Sequence, residues 1–239
     1  MGCWAMKSNK IFSIITDFIK FIYKPNYDKS DDCVGRAISK LLLLFLVVFV
    51  LRVLFIFADE FFLLTHLKKS IAQPDLKILI LSCSLVPIIE EIAFRLPLIF
   101  SPIHLSLSTC ILSFYIINNF FSVENQYDIE NYFFLRVLIA VIIGFIVWFV
   151  SKSYADALKT FYKRNPFLII YTYSLVFAMM HIGNYIIDSN FLLTYVWVIL
   201  PVFISALLYS FARLKYGFFY SLSLHVINNL IPTIIHFII

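Results

Sequence analysis

Residues 41–51 read Leu41-Leu42-Leu43-Leu44-Phe45-Leu46-Val47-Val48-Phe49-Val50-Leu51. The run is continuously apolar, without the alternation that a lipid-facing barrel strand requires. Extended on both sides it covers about 38–57, interrupted by Ser39, Lys40 and Arg52. That matches the ~20 residues a helix needs to cross a bilayer. Similar runs follow at about 77–95, 98–121, 132–150, 166–187, 191–211 and 217–238.

The composition agrees. Of 239 residues, 62% are hydrophobic and 14% charged, and the mean hydropathy is +0.93. A soluble domain carries about a quarter charged residues, so a soluble globular protein, a disordered chain and a small disulfide scaffold are excluded. Seven spans would use about 140 residues, leaving short loops and no room for a second folded domain. The expected fold is all-α, a polytopic membrane bundle of about seven transmembrane helices plus an N-terminal amphipathic helix. Residues 1–37 form a cytoplasmic or interfacial segment in this reading, and 38–239 the bundle.

In the N-terminal segment, Ile11, Ile14, Ile15, Phe18 and Ile22 recur at helical spacing, with Lys10, Asp17, Lys20 and Lys24 between them. This pattern suits a helix lying in the membrane interface. Pro25 to Arg36 reads as a polar linker. No cleavable signal is expected, because basic residues precede the first long apolar run and no small-x-small site follows a short apolar stretch. Cys3, Cys33, Cys83 and Cys110 form no Cys-x-x-Cys pair and read as packing residues.

The net charge of +5 reflects topology rather than nucleic-acid binding. With the N-terminus inside, the inner segments hold Lys7, Lys10, Lys20, Lys24, Lys29, Arg36, Lys40, Arg95, Lys152, Lys159, Lys163, Arg164, Arg213 and Lys215. The outer segments hold only Lys68, Lys69 and Lys77. Cytoplasmic loops of membrane proteins are enriched in Lys and Arg. The expectation is therefore a multi-pass protein of the plasma (inner) membrane, N-terminus cytoplasmic and C-terminus outside.

Polar groups inside apolar runs are costly and usually face a bundle interior. Three clusters stand out. The first is Glu90-Glu91-Ile92-Ala93-Phe94-Arg95. Glu91 and Arg95, four apart, can pair on one helix face. Glu90 points ~100° away, and a carboxylate without its own cation suits a general base. The blander reading is a charge patch at a helix end. The second cluster is Phe177-Ala178-Met179-Met180-His181, with Asn184 beyond it; a lone span histidine is often just a hydrogen-bonded bundle residue. The third is His225-Val226-Ile227-Asn228-Asn229, whose His225 and Asn229 share a face and could simply clamp two helices. Together they supply a carboxylate, two imidazoles and an amide, a complete set for hydrolysis by activated water.

In that order, Glu90-Glu91-x-x-x-Arg95, Phe177-x-x-x-His181 and His225-x-x-x-Asn229 resemble the three motifs of the CPBP (CAAX protease and bacteriocin-processing, or Abi) intramembrane proteases. The type II CAAX prenyl endopeptidase belongs to the same superfamily. The resemblance covers about residues 75–235, and Arg213-Leu214-Lys215-Tyr216-Gly217 is similar to the run before the family's last motif. It implies an intramembrane endopeptidase. Glu90 would be the general base on water, His181 would help hold that water, and His225 and Asn229 would form the oxyanion hole. Glu91 and Arg95 would support them. The substrate implied is a membrane-proximal peptide or lipidated protein, the other partner membrane lipid, and no cofactor is expected. Glu90, His181 and His225 could also ligate zinc, but no two of them share a helix at His-x-x-x-His spacing, and a metal-free mechanism is expected.

Other intramembrane chemistries lack their motifs. There is no His-Glu-x-x-His, and none of the five glycines begins Gly-x-Ser or Gly-x-Gly-Asp. A non-catalytic immunity or scaffold protein of the same fold is one rival reading, and a small proton-coupled transporter is another. Depth poses a difficulty. At 1.5 Å per residue, Glu90 lies about 7 Å from Arg95 and His225 about 12 Å past Gly217, but His181 lies about 22 Å past Pro166. A boundary near Tyr171 to Tyr173 would shorten the last to about 12–15 Å, and Tyr favours interfaces. Arg52 has no partner in the motif set and is expected to snorkel or meet Asp59. Asn118 and Asn119 read as interhelical donors or as residues lining the cavity, and His104 and His236 as interfacial.

Overall fold

A computed structural model describes residues 9–62, 68–69, 76–120, 132–186 and 191–238. The described chain is helical apart from one short antiparallel pairing of β1 (Lys68–Lys69) with β2 (Tyr185–Ile186). Among the described residues, four helices are long and apolar enough to cross a membrane. They lie in α2 (Val34–Phe62), α6 (Phe133–Ser153), α8 (Pro166–Met180, with the following 3-10 turn His181–Asn184) and α9 (Phe191–Lys215). Contacts divide the chain into two compact units, one made of 1–87 and 166–239, the other of 88–165.

The first unit is built on α9. An α-helix apolar on every side is buried on every side, and from Ser205 to Leu214 each residue of α9 is buried. Around it pack α1 (Asn9–Tyr23), α2, α8 and α10 (Phe218–Ile238). Helix α2 buries Ala37, Leu41, Leu44, Phe45 and Val48, a stripe at helical spacing, and exposes Ile38, Leu42, Leu46 and Val50. Helix α1 buries Ile14, Phe18 and Phe21, and the two phenylalanines meet the Phe211 ring edge-on at 5.5 and 5.2 Å. Asp17, Lys20 and Lys24 are exposed. Helix α9 ends at Lys215, and two residues on Gly217, with a φ of +122°, folds its N–H back to the Ala212 carbonyl at 3.1 Å and turns the chain into α10. Side chains rarely adopt that φ, which is why glycine stands there.

The polar linker is a fastening. Lys215 Nζ donates to Asn26 Oδ1 at 2.6 Å and to the Asp28 carbonyl at 2.9 Å, and the Ser30 N–H reaches the Lys215 carbonyl at 3.0 Å. Asp32 accepts from Lys40 Nζ at 2.6 Å, from Ser30 Oγ at 2.8 Å and from Tyr216 Oη at 3.2 Å. Burial alone would raise the Asp32 carboxyl, but the Lys40 and Ser30 hydrogen bonds and the Lys40 charge outweigh it and hold the group below its ordinary value. Burial pushes the Tyr216 hydroxyl up to about 12, with the Asp32 carboxylate adding to the rise. This clasp gathers the start of α2, the end of α9 and the start of α10. At the opposite helix ends, β1 follows α2 and pairs with β2, which follows α8.

The expected span at 77–95 is two helices, α3 (Leu76–Cys83) and α4 (Leu85–Phe94), parted at Ser84. Pro87 has no N–H to return to the Cys83 carbonyl, so an unbroken ladder fails there. The hydroxyls of Ser82 and Ser84 bond back to the Leu79 and Ile80 carbonyls, which favours the same break. The cysteines also depart from expectation. Cys83 and Cys110 are free thiols, but Cys33 is disulfide-bonded.

The second unit pairs α5 (Pro102–Phe120), apolar but shorter, with α6. At Gly144 an added Cβ would stand 2.9 Å from the Cys110 Cβ, and Ser106 Oγ donates to the Gly144 carbonyl at 2.8 Å. Buried Arg136 donates from Nη1 to Asn118 Oδ1 at 2.6 Å. Asn118 thus accepts a hydrogen bond from the neighbouring helix. The Asn119 side chain lies outside the description. The segment expected between the spans at 132–150 and 166–187 carries α7 (Ala155–Arg164), with Tyr162 buried against Phe100 at 5.2 Å and Asp156, Lys159, Lys163 and Arg164 exposed.

Candidate active site

The carboxylates lie in α4. Its helical geometry puts Glu91 and Arg95 one turn apart, and Arg95 Nε stands 3.8 Å from Glu91 Oε1 with both side chains fully buried. The expected pair therefore forms. Ala93, on the same helix, accepts from buried Ser108 Oγ of α5 at 2.6 Å, which ties the carboxylate helix to its neighbour. Glu90 is half-buried.

The imidazoles lie in the first unit. His181 follows the last turn of α8, and its Nδ1 is 2.8 Å from the Phe177 carbonyl. A carbonyl only accepts, so Nδ1 is the donor in this contact. His225 sits two turns into α10, 2% exposed, stacked on Tyr209 at 5.0 Å and 19°. The Phe177 ring joins the two, 4.6 Å from the His181 ring and 5.6 Å from the His225 ring. Lower on α8, Tyr171 Oη donates to the Ile22 carbonyl of α1 at 2.7 Å.

Asn229 is half-buried and already committed at one proton. Its Nδ2 donates to the Ser82 carbonyl of α3 at 3.0 Å, and its Oδ1 accepts from Asn228 Nδ2 at 3.3 Å. Asn228 Oδ1 in turn accepts from Arg52 Nη1 at 2.5 Å. Arg52 thus reaches α10; the Asp59 side chain lies outside the described residues. The Asn229 carbonyl accepts from Thr233 Oγ1 at 3.0 Å and lies 3.4 Å from the Cys83 thiol.

The structure brings Glu91 to Arg95 in one unit, and His181, His225 and Asn229 onto the same helix cluster in the other. Sequence reasoning missed Tyr209, Ser82 and the route from Arg52. Tyr209 carries no signal among the chain's other aromatics, whereas Asn228 was visible as the neighbour of Asn229. His104 Nδ1 is 2.8 Å from the Ile99 carbonyl, a local contact near the start of α5. The side chains of His236 and Asn184 lie outside the description. Among the described residues no three His, Cys, Asp or Glu side chains gather as a metal site. No protein-family model, curated protein or solved structure matches the chain.

Proposed function

We propose that this chain is an intramembrane endopeptidase of the CPBP type, hydrolysing a peptide bond with water activated by Glu90. The observation that supports the reading is the pairing of His181 and His225 about Phe177, from helices separated in sequence. In this reading His181 helps hold the water while Glu90 takes its proton. The developing oxyanion is met by His225 and by the second amide proton of Asn229. Glu91 and Arg95 cancel each other's charge and stiffen the turn that carries Glu90. No metal enters this mechanism. The substrate is a membrane-proximal peptide or lipidated protein, since only a chain at or within the bilayer reaches such residues.

The membrane reading extends the four apolar helices to seven spans. The broken pair α3 and α4 serves as one, and α5 and α10 supply the others. The clasp supports one orientation, because the helix ends it gathers carry Arg36, Lys40, Arg213 and Lys215, the charges expected on a cytoplasmic face. Helix α1 lies in that face, with Phe12 and Tyr23 outward beside Lys20 and Lys24. The disulfide at Cys33 opposes it, because disulfides persist in oxidising compartments. Thiol labelling of intact cells after reduction decides between the two faces.

A second reading, a non-catalytic scaffold or immunity protein, is favoured by the Asn229–Ser82 hydrogen bond, which uses a motif amide to clamp helices. Proteolysis of a peptide library in liposomes separates them. Under the enzyme reading wild type cleaves and Glu90→Ala does not; under the scaffold reading neither cleaves.

A further inference from the structure

The transmembrane arginine Arg52 has no part in the hydrolytic set, yet it ends on that set's last helix. The contact runs as a directed chain. Arg52 Nη1 donates to Asn228 Oδ1 at 2.5 Å, Asn228 Nδ2 donates to Asn229 Oδ1 at 3.3 Å, and Asn229 Nδ2 donates to the Ser82 carbonyl at 3.0 Å. A guanidinium has donors and no acceptor. It therefore allows only the oxygen of Asn228 to face it, which turns the Asn228 NH₂ toward Asn229. Asn229 must then present its own oxygen to Asn228, and its NH₂ is the end left to donate. One of those protons goes to Ser82, and the other has no partner among the described residues.

The cation also strengthens the chain. Hydrogen bonds in series polarise one another, more so where the dielectric is low. A tie between α2 and α10 needs no charge, and a glutamine could bridge them at far lower insertion cost. Glutamine, however, can present either end of its amide and would leave the direction of the chain unset.

We propose that Arg52 is a positioning residue that, through Asn228, fixes the Asn229 side-chain amide as a donor and sharpens it for an oxyanion. The idea rests on the reading of Asn229 as part of the oxyanion hole, but its structural half is measurable without turnover.

The test uses the full chain in nanodiscs, labelled with ¹⁵N-asparagine, with the Asn229 NH₂ signals assigned by their loss in Asn229→Ala. In Arg52→Met those signals shift toward free-amide positions, and Arg52→Lys, which keeps a charged donor, restores them in part. Asn228→Leu cuts the chain one link later and shifts them as Arg52→Met does, which covers the case in which Arg52→Met does not fold. Hydrolysis is followed in parallel. Arg52→Met lowers kcat about tenfold, a fraction of the ~10²–10³ lost with a whole oxyanion donor, with KM near wild type and partial recovery in Arg52→Lys. Unmoved Asn229 signals overturn the proposal even if proteolysis is robust, in which case the peptidase reading stands alone. Shifted signals with no proteolysis by wild type uphold the positioning and remove the peptidase reading. Shifted signals with unchanged kcat overturn the catalytic half.

Discussion

Two arginines inside apolar helices are held in different ways. Arg95, in the unit of residues 88–165, meets a full charge on its own helix, Glu91 one turn earlier, with both groups withdrawn from solvent. Arg52, in the other unit, meets a neutral amide on another helix, Asn228, and passes its influence to Asn229. The first arrangement neutralises charge locally and holds one turn of one helix. The second sets the cation against an amide and links three helices, α2, α10 and α3. A charge that is cancelled stiffens its surroundings, whereas one only solvated by amides can orient dipoles at a distance.

The largest expected effect breaks the first arrangement. Arg95→Ala strands a buried carboxylate, which costs ~3–5 kcal/mol, and is read as lost yield and a lower melting temperature in detergent. The double variant Glu91→Leu with Arg95→Met, which removes both charges, recovers much of that loss. Arg95→Ala protein that folds normally yet is inactive would give Arg95 a direct catalytic role and overturn its supporting assignment.

Next in size is the α5–α6 contact of the same unit. Gly144→Ala sets a methyl 2.9 Å from the Cys110 Cβ and 3.2 Å from the Ser106 carbonyl. Overpacking costs ~1–3 kcal/mol, so a melting temperature equal to wild type would show that the two helices can separate freely.

The local pair was legible in the sequence and the distant one was not, for a physical reason. Glu91 and Arg95 are four residues apart, and the helix alone brings them together. Arg52 and Asn228 are joined only by the packing of α2 against α10, which periodicity does not encode. The break at Ser84 was readable in principle from Pro87, but a long apolar run masked it. The clasp was hidden because its acceptors, Asn26, Asp28 and Asp32, looked like ordinary linker residues. The three motif clusters were visible because polar residues are conspicuous in apolar helices. Their ring contacts with Phe177 and Tyr209 were not, since 18% of the chain is aromatic.

A smaller effect tests the second arrangement. Hydrogen bonds between membrane helices average ~0.6 and reach ~1.7 kcal/mol, and a charged donor belongs at the upper end. Arg52→Met and Asn228→Leu should each cost about that much, and together no more than either alone, because they cut one chain. Additive losses, measured as unfolding free energies in mixed micelles, would mean that the two side chains act separately.

The smallest effect lies at the clasp. Because the Asp32 carboxyl is held below its ordinary value of about 3.9, its contribution is complete at neutral pH and is lost only as pH falls through and below that value. Asp32→Asn should lower stability by less than ~1 kcal/mol near pH 7. It should also flatten the acid limb of the stability curve relative to wild type, measured by thermal unfolding between pH 3 and pH 7 (about the range of carboxylate titration). An unchanged acid limb would show that other carboxylates set it.

Hydrolysis by water that Glu90 activates is tested by the rate of peptide cleavage in liposomes after exhaustive chelation with a membrane-permeant chelator. Wild type should cleave at an undiminished rate, and Glu90→Gln, which keeps the shape of the side chain without its basicity, should be slower by ~10²–10⁴. Equal cleavage by wild type and Glu90→Gln, or wild-type activity that vanishes on chelation and returns with zinc, would contradict it.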